Sequence, residues 1–203
     1  MNKLTSKKSQ IYEAALKAFS QNEFSEARMD DIAEMASVAK GTLYYHFKTK
    51  EELFLFVMEK GMDKLHQKID CVIQSDLPRD NMLYDLLKVH LEFFAEEKEL
   101  CQLMVNKAWG SQNLHPQVQM ITSRYFDKME AFYGLLQKEG FITSGVDIPT
   151  LTSSLFGMVM FTALRQIELG KDFNTREIKW SLRMLCNGVI KAGELDPKNR
   201  NVQ

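Results

Sequence analysis

Met29-Asp30-Asp31-Ile32-Ala33-Glu34-Met35-Ala36-Ser37-Val38-Ala39-Lys40-Gly41-Thr42-Leu43-Tyr44-Tyr45-His46-Phe47-Lys48-Thr49-Lys50-Glu51-Glu52-Leu53 is the most informative stretch of the 203-residue chain. Ile32, Ala33 and Ala36 share one side of a short helix over about 30–36. Ser37-Val38-Ala39 joins it to a second short helix over 40–46. A longer helix precedes both, with Ile11, Ala14, Ala15, Ala18 and Phe19 at three- and four-residue spacing. These are helix-turn-helix proportions. The second helix of such a motif must be short, braced on its inner side and polar outside to enter a groove about 12 Å wide. Leu43 and Phe47, four apart, face inward. Lys40, Thr42, Tyr44, Tyr45 and His46 leave donors and hydroxyls outward, while Lys48 and Lys50 add charge at the far end.

Working outward, a long helix over 50–74 carries Leu53, Phe54, Val57, Met58, Gly61, Met62, Leu65 and Ile69. Further periodic segments predict helices at about 81–97, 99–109, 116–138, 149–169 and 175–192. Pro78, Pro116, Pro149 and Pro197 fall between these segments or just inside them, where a missing N–H is tolerated. Gly140 and Gly170 follow helical segments, at the left-handed position that ends a helix. No alternating β-branched run bounded by hairpin turns is present. The expectation is all-α, with about nine helices.

Composition fixes the class. Lys and Arg number 26 against 27 Asp and Glu, a net charge of -1, with 45 % apolar and 26 % charged residues. That is an ordinary soluble balance. No apolar run reaches the roughly 18 residues of a membrane span, so no membrane partner is expected. The basic start leads into an amphipathic segment, not a signal peptide's apolar core. Cys71, Cys101 and Cys186 are three and far apart, which suits a reducing cytoplasm and neither a disulfide framework nor a zinc spacing. Residues 1–50 hold 8 cations and 6 anions, and residues 51–203 hold 18 and 21. A slightly positive head therefore precedes a negative body.

The quoted stretch, with Ile11, Ala14, Ala15 and Phe19 ahead of it, closely resembles the DNA-binding domain of the tetracycline-repressor (TetR) family over about residues 9–54. The resemblance implies a dimeric one-component regulator, most simply a repressor. It implies a three-helix DNA-binding domain at 1–49, a helical effector-binding and dimerisation domain at 50–192, and a tail at 193–203. By position, Thr42, Tyr45, His46 and Lys50 would contact phosphates, and Lys40, Thr42 and Tyr44 would face major-groove bases. The partners implied are a palindromic double-stranded operator, a small apolar or amphipathic effector and a second copy of the chain. No cofactor or metal is implied. The chain departs from the family pattern at Glu23-Phe24, Ala27-Arg28 and Ser37-Val38-Ala39. Hydroxyls that cap helices elsewhere in the family are missing at Arg28 and Ala39. Asp30 is then a candidate cap for the second helix, and Arg28 a candidate phosphate contact by charge.

Twelve Met and 13 Phe are the odd feature of the composition, and nine of the Met lie beyond residue 50. Met58, Met62, Leu65, Phe93, Phe94, Met104, Trp109, Met120, Phe126, Met129 and Tyr133 form the expected effector wall, because Met adapts to varied apolar shapes. The same residues also suit ordinary bundle core, and periodicity does not separate the two. His90, Arg124, Arg165 or Gln166 are candidates to hold a polar head group. Leu155 and Met158 on one late helix, with Leu182, Leu185 and Val189 on the other, form the expected dimer interface as a four-helix bundle. Internal core is the other use of these stripes. No phosphate loop, nucleophile elbow or His-Glu-x-x-His sequence supports an enzyme. His66 and Asp70, one turn apart, are too few for a metal. The remaining alternative is a helix-turn-helix protein with no small-molecule effector.

Overall fold

The computed structural model describes residues 3–22, 24–105, 116–172 and 176–190. Among these it contains nine α-helices and no strand: α1 Lys3–Gln21, α2 Met29–Met35, α3 Lys40–His46, α4 Lys50–Ile73, α5 Arg79–Glu96, α6 Lys98–Leu103, α7 Pro116–Lys138, α8 Ile148–Glu168 and α9 Arg176–Ile190. The helix expected over 99–109 stops at Leu103 as an α-helix and continues as a π-type turn through 104–105. The chain divides into two compact units, Met1–Lys64 with Glu97–Ile121, and Leu65–Glu96 with Thr122–Gln203.

In the first unit Ile11, Ala15 and Phe19 of α1, Ile32 and Ala33 of α2, and Leu43 of α3 are buried. Phe19, Phe24 and Phe54 close a triangle of rings at 5.4–5.7 Å, each pair adding about 0.5–1.5 kcal/mol beyond its buried area. Phe24 thus fixes the loop between α1 and α2. Gly61 of α4 lets α6 come close: a Cβ there would sit 2.5 Å from a δ-carbon of buried Leu100.

Helix ends follow backbone chemistry. α4 starts on Thr49, whose hydroxyl accepts from the Glu52 N–H at 3.1 Å, while the Glu52 carboxylate accepts from the Lys48 N–H at 2.7 Å. This is a capping box reaching one residue further back than usual. α7 and α8 end at Gly140 (φ +83°) and Gly170 (φ +62°), the left-handed residues expected there. In each, two backbone N–H groups fold back onto carbonyls of the last turn. α2 ends in the same way, with Ser37 N–H on Glu34 and Val38 N–H on Ala33, but its left-handed residue is a serine at φ +53°. An L-residue there costs about 1–2 kcal/mol, of which glycine's greater unfolded-state freedom returns 0.5–1. Ser37→Gly is therefore expected to stabilise the chain by up to about 1 kcal/mol, read as a raised denaturant midpoint at unchanged slope.

In the second unit α5 packs against α8 and α9. Phe93 and Phe94 of α5, Tyr125 and Met129 of α7, and Phe156, Val159 and Ala163 of α8 are buried. Asp147 caps α8 by accepting from the Thr150 N–H at 2.9 Å, and Pro149 sits in the first turn, where no N–H is needed. Hydrogen bonding from Thr150 holds the Asp147 carboxyl below its ordinary value. The α7–α8 loop is tied down by the Gln137 amide, which donates to the carbonyls of Thr143 and Val146 at 2.9 and 2.8 Å.

Candidate functional site

α3 is braced from within and open outward. Leu43 is fully buried and Phe47 nearly so, and the Phe47 ring packs on Phe56 of α4 at 4.9 Å. Opposite them Tyr44 is 41 % and Tyr45 75 % exposed. Tyr45 meets only the neighbouring His46 ring and, at 6.0 Å, the Lys48 ammonium, and Tyr44 keeps two-fifths of its surface in water, so both phenols present area that a ligand can cover. Thr42 and His46 are half-buried, and the His46 ring lies 5.2 Å from Tyr45. Lys48 donates to the Tyr44 carbonyl at 3.1 Å, closing the last turn of α3 with a cation where the helix dipole favours one.

Two of the expected DNA-contacting cations are engaged inside the chain. The Lys40 ammonium donates to the Asp30 carboxylate of α2 at 2.8 Å, and that hydrogen bond raises the Lys40 pKa. Lys50 donates to the Ser25 carbonyl at 3.1 Å and lies 4.7 Å from the centre of the Phe24 ring. Arg28 is exposed at the start of α2. Neither Arg28 nor Ala39 supplies a side-chain cap, as the missing hydroxyls imply. Asp30 does not cap α2: it sits inside the first turn, and its carboxylate belongs to Lys40. That carboxylate also presents a negative charge beside the outward face. Asp30→Asn is expected to remove that negative charge and release the Lys40 ammonium, raising non-specific DNA affinity severalfold and steepening the salt dependence by about one counterion. The slope of log K against log salt measures this, and an unchanged slope would show that the released Lys40 charge takes no part in non-specific binding.

The expected effector residues divide between the units. Met58, Met62 and Met104 are buried in the first, and Leu65, Phe93, Phe94, Met129 and Tyr133 in the second, where Phe126 is half-buried. Met120 is 67 % exposed and forms no apolar wall: the inward stripe of α7 runs through Val118, Ile121, Tyr125 and Met129, and Met120 falls off it. Trp109 lies outside the described residues. The second unit also buries a polar pair. His90 Nδ1 is 2.6 Å from the Leu86 carbonyl, which can only accept, so Nδ1 carries the proton and Nε2 accepts from the Tyr125 hydroxyl at 2.8 Å. Burial pushes the His90 pKa down to about 4 and drives that of Tyr125 well up. Phe126 and Phe156 lie 5.1 and 5.0 Å from the Tyr125 ring. Sequence alone singled out His90 but not Tyr125, which is 35 positions away and carries no local signal.

Two residues of the expected dimer face lie inside the chain. Leu155 and Leu182 are each only 4 % exposed, buried against the chain's own helices, so they are core. Met158 is half-buried, Leu185 is 60 % exposed, and the Val189 side chain lies outside the described residues. Phe161, Trp180 and Met184, 69 %, 60 % and 52 % exposed, are further large apolar residues that α8 and α9 leave in solvent and that sequence reasoning did not single out. α8 is apolar on nearly every side, so its spacing did not separate an inner stripe from an outer one.

No cluster of three or more His, Cys, Asp or Glu that could hold a metal occurs among the described residues, and Asp70 is ion-paired with Lys128 at 2.5 Å. No described helix is long and apolar enough to cross a membrane.

Known proteins share this arrangement. The family model for bacterial regulatory proteins of the tetR family matches residues 11–57. The uncharacterised HTH-type transcriptional regulator YhgD of Bacillus subtilis (strain 168) is 38 % identical over 87 residues, 43 % of this chain and 46 % of that protein. The fatty acid metabolism regulator protein of the same organism is 22 % identical over 90 % of this chain and 91 % of its own. Among solved structures, a Clostridium perfringens protein assigned to fatty acid metabolism regulation matches with a TM-score of 0.79 and 28 % identity, over 91 % of this chain and 97 % of that one. FadR of Bacillus subtilis, solved in complex with stearoyl-CoA, shares the fold at a TM-score of 0.74 and 18 % identity, over 91 % and 98 %.

Proposed function

We propose that this chain, a member of the tetR family of bacterial regulatory proteins, is a homodimeric repressor released from its operator by a long-chain fatty-acyl effector. Family membership makes it a DNA-binding transcriptional regulator and not an enzyme. The observation that carries the reading is α3, whose inner residues are locked while Tyr44 and Tyr45 stand in solvent. Tyr44 and Lys40 would read base edges. Arg28, Thr42, Tyr45, His46 and Lys50 would position the helix on phosphates. Phe161, Met184 and Leu185, exposed on α8 and α9, suit burial against a second copy. A two-fold dimer would set two recognition helices about one DNA turn apart, matching a palindrome in the cytoplasm's chromosome.

The effector class is supported by the 28 %-identical Clostridium perfringens relative and by the Phe- and Met-rich interior. Such a ligand shifts the DNA equilibrium only by its differential affinity for the free and bound forms. The test is a gel shift on an operator selected from random DNA, with stearoyl-CoA, stearate and CoA as additions. Release by the acyl compounds and not by CoA is the expected outcome. Retention of DNA with every acyl compound would leave a regulator without such an effector.

A further inference from the structure

A cleft of about 910 Å³ opens between α5 and α9 within the second unit, lined by Tyr84, Lys88, Arg176, Lys179, Trp180 and Arg183. Its size lies within the roughly 300–1,000 Å³ of small-molecule sites. Four of its lining residues are cations, although residues 51–203 carry more acid than base. The cations are not equivalent. Lys179 is ion-paired with Glu92 at 3.1 Å, and Arg183 lies over the Tyr84 ring at 5.0 Å, which fixes its guanidinium. Lys88 is half-buried on α5 and Arg176 opens α9, and neither has an ion-pair partner among the described residues. Two unneutralised charges and one pre-set guanidinium face a single cleft, beside an indole, Trp180, left 60 % exposed. Glu177, the one carboxylate among the described lining residues, offers acceptors for hydroxyl or amino donors.

We propose that this cleft binds a phosphate-bearing ligand with an aromatic ring, of nucleoside-diphosphate type. Guanidinium and ammonium groups would take the phosphates, Arg by two parallel hydrogen bonds, Trp180 would stack on the base, and Glu177 would accept from the sugar. Such a ligand bridges α5 and α9, and so links the interior helix of the effector domain to a helix of the proposed dimer face. The calorimetric readout involves no operator and its probe no acyl chain. Because the CoA part of stearoyl-CoA carries the same adenine and diphosphate, stearate is the acyl probe that leaves this cleft empty. Its effect on the operator separates failure of one reading from failure of the other.

Calorimetric titration of the full-length protein with ADP, pyrophosphate and adenosine tests the proposal. ADP is expected to bind about tenfold or more tightly than either fragment, each half contributing at least one decade. Lys88→Ala with Arg176→Ala should weaken ADP about tenfold or more at unchanged oligomeric mass and thermal midpoint. Trp180→Ala should reduce ADP to the level of pyrophosphate while leaving pyrophosphate unchanged. Absence of heat with ADP at about 1 mM would overturn the site. So would pyrophosphate or adenosine binding as tightly as ADP, or ADP binding unaltered in the Lys88→Ala/Arg176→Ala variant. Non-specific duplex DNA binding lost in that variant, with no ADP binding, would assign the cations to nucleic acid instead.

Discussion

Tyr44→Ala is expected to abolish sequence-specific DNA binding while leaving a folded dimer. The side chain is 41 % exposed, and the helix that carries it is held by Leu43 and Phe47 from the opposite face. The Lys48 bond to position 44 uses the backbone carbonyl, so it survives the substitution. What disappears is the proposed contact to a base edge. One specific base contact contributes roughly 1–3 kcal/mol of discrimination, and a two-fold dimer loses it twice. The expected loss is therefore about 30-fold to 10⁴-fold in operator affinity. Fluorescence anisotropy on the selected operator and on a scrambled duplex measures it. The scrambled duplex should bind as before, because the cations proposed to meet phosphate are untouched. Tyr44→Phe separates ring from hydroxyl: equal loss in both variants assigns the contact to the hydroxyl. Operator affinity within twofold of the parent in Tyr44→Ala would remove Tyr44 from the reading face.

Lys50 shows why an exposed residue makes the cleaner test. Its ammonium holds the Ser25 carbonyl and lies on the Phe24 ring, which itself packs on Phe19 and Phe54. Truncating Lys50 would loosen the loop before α2 as well as remove a charge, so weakened DNA binding would have two causes. A phosphate contact is its proposed role, and its geometry makes it a structural tie as well.

Features coded locally in the chain were legible in its sequence. The limits of α3 and α7, the left-handed Gly140 and Gly170, and the inward Leu43 and Phe47 each depend on residues within about one turn of each other. The Thr49-to-Glu52 capping box is equally local, its Thr and Glu three positions apart. Partners distant in sequence were not legible. Asp30 looked like a cap because its type suits one, and only the placement of α3 gives its carboxylate to Lys40, ten positions on. Leu155 and Leu182 belong to apolar stripes that suit a core or an interface equally. Which applies depends on where α5 lies, and α5 packs against both α8 and α9. The α5–α9 cleft joins cations more than 80 residues apart, and no local pattern announces it.

The buried His90–Tyr125 pair should make the chain acid-sensitive between pH 6.5 and 4. In the unfolded chain His90 takes up a proton near its ordinary value of 6.5; in the folded chain burial delays this to about 4. Its contribution to stability is thus fully present above pH 6.5 and lost progressively as pH falls through 4. The gap corresponds to roughly 3 kcal/mol, a large share of a domain's net stability. Protonation would also place a second N–H against the Tyr125 hydroxyl, which would have to give up donating to Nε2. Urea unfolding at pH 7 and pH 4.5 reads the loss directly, in the parent and in three variants. His90→Leu leaves the Tyr125 hydroxyl buried without its acceptor, and Tyr125→Phe leaves Nε2 without its donor; each should destabilise at pH 7 by about 1–3 kcal/mol. His90→Leu with Tyr125→Phe removes both needs together, so it should be nearer the parent at pH 7 than either single variant. It should also be more stable than the parent at pH 4.5, because no buried imidazole remains to be charged. Carboxylates elsewhere titrate alike in parent and double variant, so the difference between their pH slopes isolates His90. Equal slopes in the two proteins between pH 6.5 and 4 would mean that His90 accepts its proton in the folded state as readily as in water, contrary to its burial.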